Sequence, residues 1–304
     1  MVGVGDIASC TQRLSYGTAR LVDSVLRADS IAKVENAVFT LGDNAYSSGS
    51  TAQFNQCFTP SWGDPQKGII KSLHPAPGNH EYQTLNADPY YKYFGLAAGE
   101  IGRGYYSYDV GAWHVVVVNS EIIVNASFTD SARQGQMDWV EKDLEAHKKL
   151  CTVAYWHQPT FSATTSASDA PDPSAPGAGG QEGGVADAWW QLLYRSHATL
   201  ILNGHEHVYA RFRPMDPAGK YDPHHGITQL TVGTGGEDLD ALATTATGYS
   251  NPNVVTGQDQ AFGVLNLQLG SNGYSFSYRP TLPGPGADSS ALNYSDSGSG
   301  GCRG

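Results

Sequence analysis

Ala37-Val38-Phe39-Thr40-Leu41-Gly42-Asp43-Asn44-Ala45-Tyr46 is the stretch whose reading decides the fold. Its first five residues are apolar or β-branched, too few for a helix, and stopped by Gly-Asp. Residues 37–41 therefore read as a short buried strand ending in a turn. Val2-Gly3-Val4-Gly5 has the same form and runs into Asp6. Between the two, Leu14, Leu21, Val22, Val25 and Leu26 fall near helical spacing. Strand, helix and strand in succession are the signature of an α/β chain.

Outward from this unit, residues 105–110 and 113–118 read as a hairpin turning at Gly111-Ala112. Val115 to Val118 is an unbroken apolar run, which implies a strand covered on both faces. A helix is predicted over 131–148, with Met137, Val140 and Leu144 marking one face, then a strand at 151–156. Residues 162–184 are Ser, Ala, Pro, Asp and Gly without periodicity, the composition of a long flexible loop. A helix at 185–196 and a strand at 199–203 follow. Further strands are predicted at 208–213, 227–233, 261–269 and 273–279. The Gly/Ser/Pro-rich tail, 283–304, is expected to be poorly ordered. No internal repeat is present, and 1–282 reads as a single domain.

Composition narrows the function. Only 15% of the 304 residues are charged, Lys and Arg total 18, and the net charge is -11. That balance argues against a nucleic-acid binding surface, which shows clustered Lys and Arg. A small phosphorylated substrate stays open, because a bound metal ion can dominate the local field. No apolar run approaches the roughly 18–20 residues of a membrane span. Met1 leads straight into Val2 with no charged leader, so an export signal is expected to have been removed and Met1 supplied in its place. The Ser/Gly/Ala-rich, Lys-poor composition points to a secreted or extracytoplasmic protein. Of the four cysteines, Cys10 and Cys57 lie shortly after predicted strands on loops able to meet. They are the preferred disulfide pair, with two free thiols as the alternative and three pairings formally open. No CxxC occurs, which speaks against a structural zinc site.

Five polar clusters carry the chemistry: Gly5-Asp6, Gly42-Asp43-Asn44-Ala45-Tyr46, Gly78-Asn79-His80-Glu81, Trp156-His157 and Gly204-His205-Glu206-His207. Each follows a predicted strand or short apolar run, and sites in open α/β sheets form at the carboxyl ends of strands. Singly, each has a plain reading: a turn, a loop, or a satisfied core histidine. Together and in this order they resemble the calcineurin-like metallophosphoesterases. Tyr46 narrows the resemblance to the purple acid phosphatase branch, especially its compact bacterial members. Residues 42–46 match GDxxY, 78–81 match GNHE and 204–207 match GHxH. Ala8 stands where the first motif has its second Gly.

The resemblance implies a four-layer α/β/β/α sandwich with two mixed β-sheets. It also implies two metal ions. Asp6, Asp43, Tyr46 and His207 would hold one; Asp43, Asn79, His157 and His205 would hold the other, with Asp43 bridging. Two carboxylates and a phenolate suit Fe(III), and a tyrosinate–iron bond is coloured. An amide oxygen and two imidazoles suit Fe(II), Zn or Mn. The expected reaction is hydrolysis of a phosphate ester by metal-bound hydroxide. An acid-phosphatase-type phosphomonoesterase is the leading version, and a phosphodiesterase or nucleotidase on the same centre is the alternative. A non-catalytic secreted metal-binding protein is the rival from another class.

His80, next to a ligand, is the candidate acid for the leaving group, with Glu81 placed to orient it or tune its pKa. Related phosphatases carry further histidines after the strand His. Here 158–196 has none, and the loop offers only Asp169, Asp172 and Glu182 as charged groups. Substrate contacts therefore differ. His224-His225 reads as a solvated loop, His114 as structural, and Tyr105, Tyr106 and Tyr108 as core or sheet surface. Gly233-Thr234-Gly235-Gly236 reads as a tight turn near the site.

Overall fold

A computed structural model describes residues 1–148, 151–164 and 186–303. Its strands are β1 (Val2–Val4), β2 (Val38–Leu41), β3 (Leu73–Ala76), β4 (Tyr106–Val110), β5 (Trp113–Val117), β6 (Cys151–Trp156), β7 (Leu200–Asn203), β8 (Tyr209–Phe212), β9 (Thr228–Val232), β10 (Thr244–Thr245), β11 (Gly248–Tyr249), β12 (Val254–Gln258), β13 (Ala261–Leu269), β14 (Gly273–Pro283) and β15 (Asp296–Gly301). They form a six-stranded sheet, β15-β14-β13-β1-β2-β3, a seven-stranded sheet, β12-β8-β9-β7-β6-β5-β4, and the small pair β10-β11. Both large sheets are mixed. β1, β2 and β3 are parallel, as are β5, β6, β7 and β9, while β13, β14 and β15 pair antiparallel.

The apolar runs sort themselves between two cores. Val115, Val117, Val153, Tyr155, Leu200 and Leu202 face the first sheet, with Phe39 and Tyr155 in ring contact at 5.8 Å. The intervening Val116, Val118, Ala154, Trp156 and Ile201 face outward onto Val140, Leu144, Trp189 and Trp190. Alternate side chains of one strand point to opposite faces, so a run that is apolar throughout needs cover on both. Helices Asp130–Ala146 and Ala186–Arg195 supply that cover. The first of these starts where Thr129 accepts the Ala132 N–H (3.2 Å). On the far side, helix Ser15–Ala32 buries Val22, Val25 and Leu26 against β13 and β14. The layers are thus helix, sheet, sheet, helix.

Besides the small pair β10-β11, three strands of the large sheets escaped the sequence reading. Pro75 disguises β3; it is tolerated because β3 is an edge strand and an edge needs no donor there. β12 also went unread. The third corrects an expectation: the tail is ordered. β14 runs on to Pro283, and β15 continues the sheet along it, from Gly273↔Gly301 to Tyr278↔Asp296. Asp296 accepts from Arg211 (2.7 and 3.0 Å) and Tyr209 (2.7 Å), and Cys302 is bonded to Cys151. A Gly/Ser segment carries no pattern of its own, but an open sheet edge and a disulfide give it one. Cys10 is bonded to Cys57. The 162–184 loop, with Asp169, Asp172 and Glu182, falls almost wholly outside the described residues.

Candidate metal centre

The parallel strands of both sheets end along one edge, and the polar clusters sit there. The loops after β1 and β2 keep pairing past the strands: Asp6 N–H to Gly42 O (3.1 Å), Ile7 N–H to Asp43 O (2.9 Å), Ala8 N–H to Asn44 O (3.1 Å), and Tyr46 N–H back to Ala8 O (2.9 Å). Ala8 therefore sits in this ladder without disturbing it. The sheets are joined where Gly5 N–H meets Val232 O (2.9 Å). Asp6, Asp43 and His205 all have positive φ (61°, 48° and 69°), which turns their side chains off the strand direction toward one point. The glycines beside them make room. A Cβ on Gly78 would lie 2.2 Å from Asp43 Oδ1, and one on Gly42, itself at φ +89°, 2.4 Å from His157 Nδ1.

All seven candidate donors meet. Tyr46 Oη lies 2.9 Å from Asp6 Oδ1, 3.1 Å from Asp43 Oδ2 and 3.1 Å from His207 Nε2. His207 Nε2 is 3.4 Å from Asp6 Oδ1. On the other side of Asp43, its Oδ2 is 3.1 Å from His157 Nε2. His157 Nε2 is 2.9 Å from Asn79 Oδ1 and 3.2 Å from His205 Nδ1, and His205 Nδ1 is 3.1 Å from Asn79 Oδ1. Asp43 thus stands between two groups of donors. Alternation along an extended segment would put both histidines of Gly204-His205-Glu206-His207 on one face. The segment is instead a bend, closed by Glu206 N–H to Gly204 O (2.8 Å) and Val208 N–H to Glu206 O (2.7 Å). That bend sends His205 to one group and His207 to the other.

The donor chemistry fits cations. His157 Nδ1–H donates to Leu41 O (2.7 Å), which leaves Nε2 presenting a lone pair to Asn79 Oδ1 and Asp43 Oδ2. These are electron-rich atoms turned on one another, and they need positive charge between them. Atoms bound about 2.1 Å from one ion sit about 3 to 3.5 Å apart, which is the spacing found here. Without an ion, protons take that part. Burial opposes charge on His157, but the Asp43 carboxylate overrides it and pushes the ring up to about 10. Loss of solvent around its ring, then the neighbouring His157 charge, pushes half-buried His205 down to about 3. Burial likewise opposes charge on His207, yet Asp6 lifts it to about 9. Asp43 lies well below the carboxylate range; burial would raise it, but the His157 charge prevails. Burial and then the Asp43 and Asp6 charges drive the Tyr46 phenol far up. A centre this strongly perturbed, in buried loops at a sheet edge, marks a functional site.

His80 stands at the rim, its side chain 26% exposed and its Nε2 3.7 Å from Asp43 Oδ2. Its Nδ1 donates to Ser47 O (2.5 Å), which turns Nε2 inward. Glu81 does something other than steer His80. It is wholly buried, and its carboxylate accepts the N–H groups of Asn44 (2.8 Å), Ala45 (3.3 Å) and Gly78 (2.8 Å). It clamps the Asp43 loop to the Asn79 loop. Burial, then the nearby Asp43, raises it to about 8.

Sequence reasoning missed several supports. Asp238 O accepts from His207 Nδ1 (2.6 Å), and Asp240 Oδ2 accepts the His207 N–H (2.8 Å). The acidic run Glu237-Asp238-Leu239-Asp240 straight after the glycine turn was the available signal. Glu206 points away from the donors and accepts the Ala163 N–H (3.0 and 3.2 Å). Glu121, buried, accepts from Gln158 Nε2 (2.6 Å), next to His157. His224-His225 lie at the amino end of β9, away from the donors, tied to Asp222 through their N–H groups (3.0 Å each).

The family signature of calcineurin-like phosphoesterases matches residues 3–209. The chain belongs to that family. Its relatives lie in the purple acid phosphatase branch. Acid phosphatase type 7 of Homo sapiens is 26% identical over 200 residues, 62% of this chain and 44% of that protein. Purple acid phosphatase 15 of Arabidopsis thaliana is 26% identical over 268 residues, 77% of this chain and 44% of that protein. The chain thus spans under half the length of these relatives. In fold it resembles a purple acid phosphatase from yellow lupin (Lupinus luteus) seeds, with TM-score 0.70 and 18% identity over 97% of this chain and 52% of that one.

Proposed function

We propose that this phosphoesterase-family chain hydrolyses phosphate esters at two metal ions. Asp6, Asp43, Tyr46 and His207 hold one, and Asp43, Asn79, His157 and His205 hold the other. The observation that carries the reading is the convergence of seven lone-pair donors, from five loops of both sheets, at 2.9–3.4 Å spacings about Asp43. The phenol and two carboxylates favour Fe(III), and the amide and two imidazoles Fe(II), Zn or Mn. When bound, the ions supply Lewis-acid charge for the phosphate oxygens and a water that deprotonates near neutral pH.

The chain's own residues do the rest. Asp43 fixes the distance between the two groups of donors. Leu41 O holds the His157 tautomer, and Asp238 O and the Asp240 carboxylate aim His207; such outer partners set ligand orientation and affinity. His80, at the rim, turns Nε2 inward toward the donors, where it gives a proton to the departing alkoxide. A cavity of about 500 Å³ has Asp238, Asp240 and Asp259 among its walls, and the first two also bond to His207.

Monoester hydrolysis is the leading reading, with diesters or nucleotides as the second. Rates on nitrophenyl phosphate and bis-nitrophenyl phosphate separate them, alongside elemental analysis and a visible spectrum. Two bound metals with no turnover of either ester, or of a wider ester panel, would return the chain to a binding role. Both described disulfides, with no free cysteine, support an extracytoplasmic setting. Among the described residues no helix is long and apolar enough to cross a membrane.

A further inference from the structure

Past β9 the chain does not leave the site. Gly235 N–H bonds to Gly5 O (3.0 Å), and Glu237 N–H bonds to Asp6 O (3.2 Å), so residues 233–237 lie along the Gly5-Asp6 backbone. The glycines allow this approach: a Cβ on Gly235 would lie 2.3 Å from Gly5 O. The effect is to fasten the Glu237 backbone beside that of Asp6. Glu237 Oε2 is buried and has no hydrogen-bond partner. A buried carboxylate oxygen without a donor is costly and calls for a partner. The Glu237 charge is also felt by Tyr46, after burial, Asp43 and Asp6.

We propose that Glu237 is a further donor to the cation held by Asp6, Asp43, Tyr46 and His207. This inference rests on the two-metal reading above. It accounts for the unpartnered Oε2 and gives the Gly233-Thr234-Gly235-Gly236 turn a purpose: delivering a carboxylate from the second sheet to a centre built mainly on the first. It also adds a hard anionic oxygen to a site already rich in them, which deepens its preference for a trivalent ion over a divalent one.

The test uses the full chain loaded with ferric iron and zinc, and compares it with Glu237→Gln and Glu237→Asp. Two quantities are read: the tyrosinate-to-iron absorption band, and the chelator concentration at which half of one metal equivalent is lost. A neutral amide leaves the iron more electron-poor, so in Glu237→Gln the band moves to longer wavelength. Half-loss occurs at about 10–100-fold lower chelator, the range for a weakened metal support. Glu237→Asp, charged but one methylene short, falls between. Variants with the band and chelator dependence of the parent overturn the assignment, and so does activity lost with both unchanged, which places Glu237 at the substrate. Parent-like behaviour of Glu237→Asp beside a weakened Glu237→Gln also overturns it, since charge alone is then enough. If the parent chain itself takes up no metal pair, the two-metal reading fails and this inference falls with it.

Discussion

Gly42→Ala tests whether the loop glycines exist to seat the donors. A Cβ at this position lies 2.4 Å from His157 Nδ1, and ordinary contact begins at 3.4 Å. The ring must retreat by about 1 Å, a misplacement worth about 10²-fold in rate at a catalytic centre. The retreat also breaks the 2.7 Å bond from Nδ1 to Leu41 O that fixes the tautomer. Metal affinity then falls by about 10–100-fold, as for loss of any partner that orients a ligand. Backbone strain is a separate cost, and Gly68→Ala isolates it. Gly68 is at φ +75° with nothing within 4 Å of an added Cβ. That variant loses about 1–2 kcal/mol of stability, the penalty of a left-handed L-residue, and keeps its activity. The assay is kcat/KM on nitrophenyl phosphate with metal per chain by elemental analysis, and urea midpoints as the stability control. Gly42→Ala with the parent's kcat/KM and full metal content would refute the argument.

Three other outcomes are expected. His80→Ala lowers turnover by about 10²–10⁴-fold while both metals remain; equal turnover removes His80 from the proton transfer. Replacing Cys151 and Cys302 by Ser opens a loop of 151 residues and costs about 5 kcal/mol by loop-closure entropy. The Cys10/Cys57 pair, spanning 47, costs about 4 kcal/mol, so urea midpoints should fall further for the first pair. His114 gives a pH signature. Burial opposes its charge, but bonds to Asp143 (2.8 Å) and Asp109 (2.9 Å) raise its pKa, while Asp143, also opposed by burial, is lowered mainly by His114. The raised histidine stabilises fully below its unfolded pKa of 6.5 and loses this as pH climbs through the folded value. The lowered Asp143 stabilises above 3.8 and loses it as pH drops through its folded value. The stability gap between parent and His114→Gln should therefore be wider at pH 5 than at pH 9; a gap that grows with pH contradicts the pairing.

Four of the five strands that lead to donors, β1, β2, β6 and β7, were legible because each is a short apolar run. Residues 38–41, 151–156 and 200–203 are buried at every position, and burial on both faces writes an unbroken apolar string. β3 and β15 were not legible, for opposite reasons. Pro75 masks one, and the other is Gly and Ser, held by a neighbouring edge, an ion pair and a disulfide that no local pattern encodes. Glu81 shows the same limit within the site. Its place beside His80 in sequence suggested a pair, but a side chain's partner depends on which way the backbone turns, and here it turns toward Asn44 and Gly78.

Read alone, the sequence determined which atoms can bind a cation and that all but Asn79 stand just past a recognisable strand, since residue type and local periodicity carry that much. Only the tertiary structure decided that they share one space. Positive φ at Asp6, Asp43 and His205, together with the register that brings two sheets to a common edge, draws donors 199 residues apart to a 2.9 Å contact between His205 N–H and Asp6 Oδ2. Long-range distance is set by packing, where hundreds of individually weak contacts must agree, and no single stretch of chain holds that information.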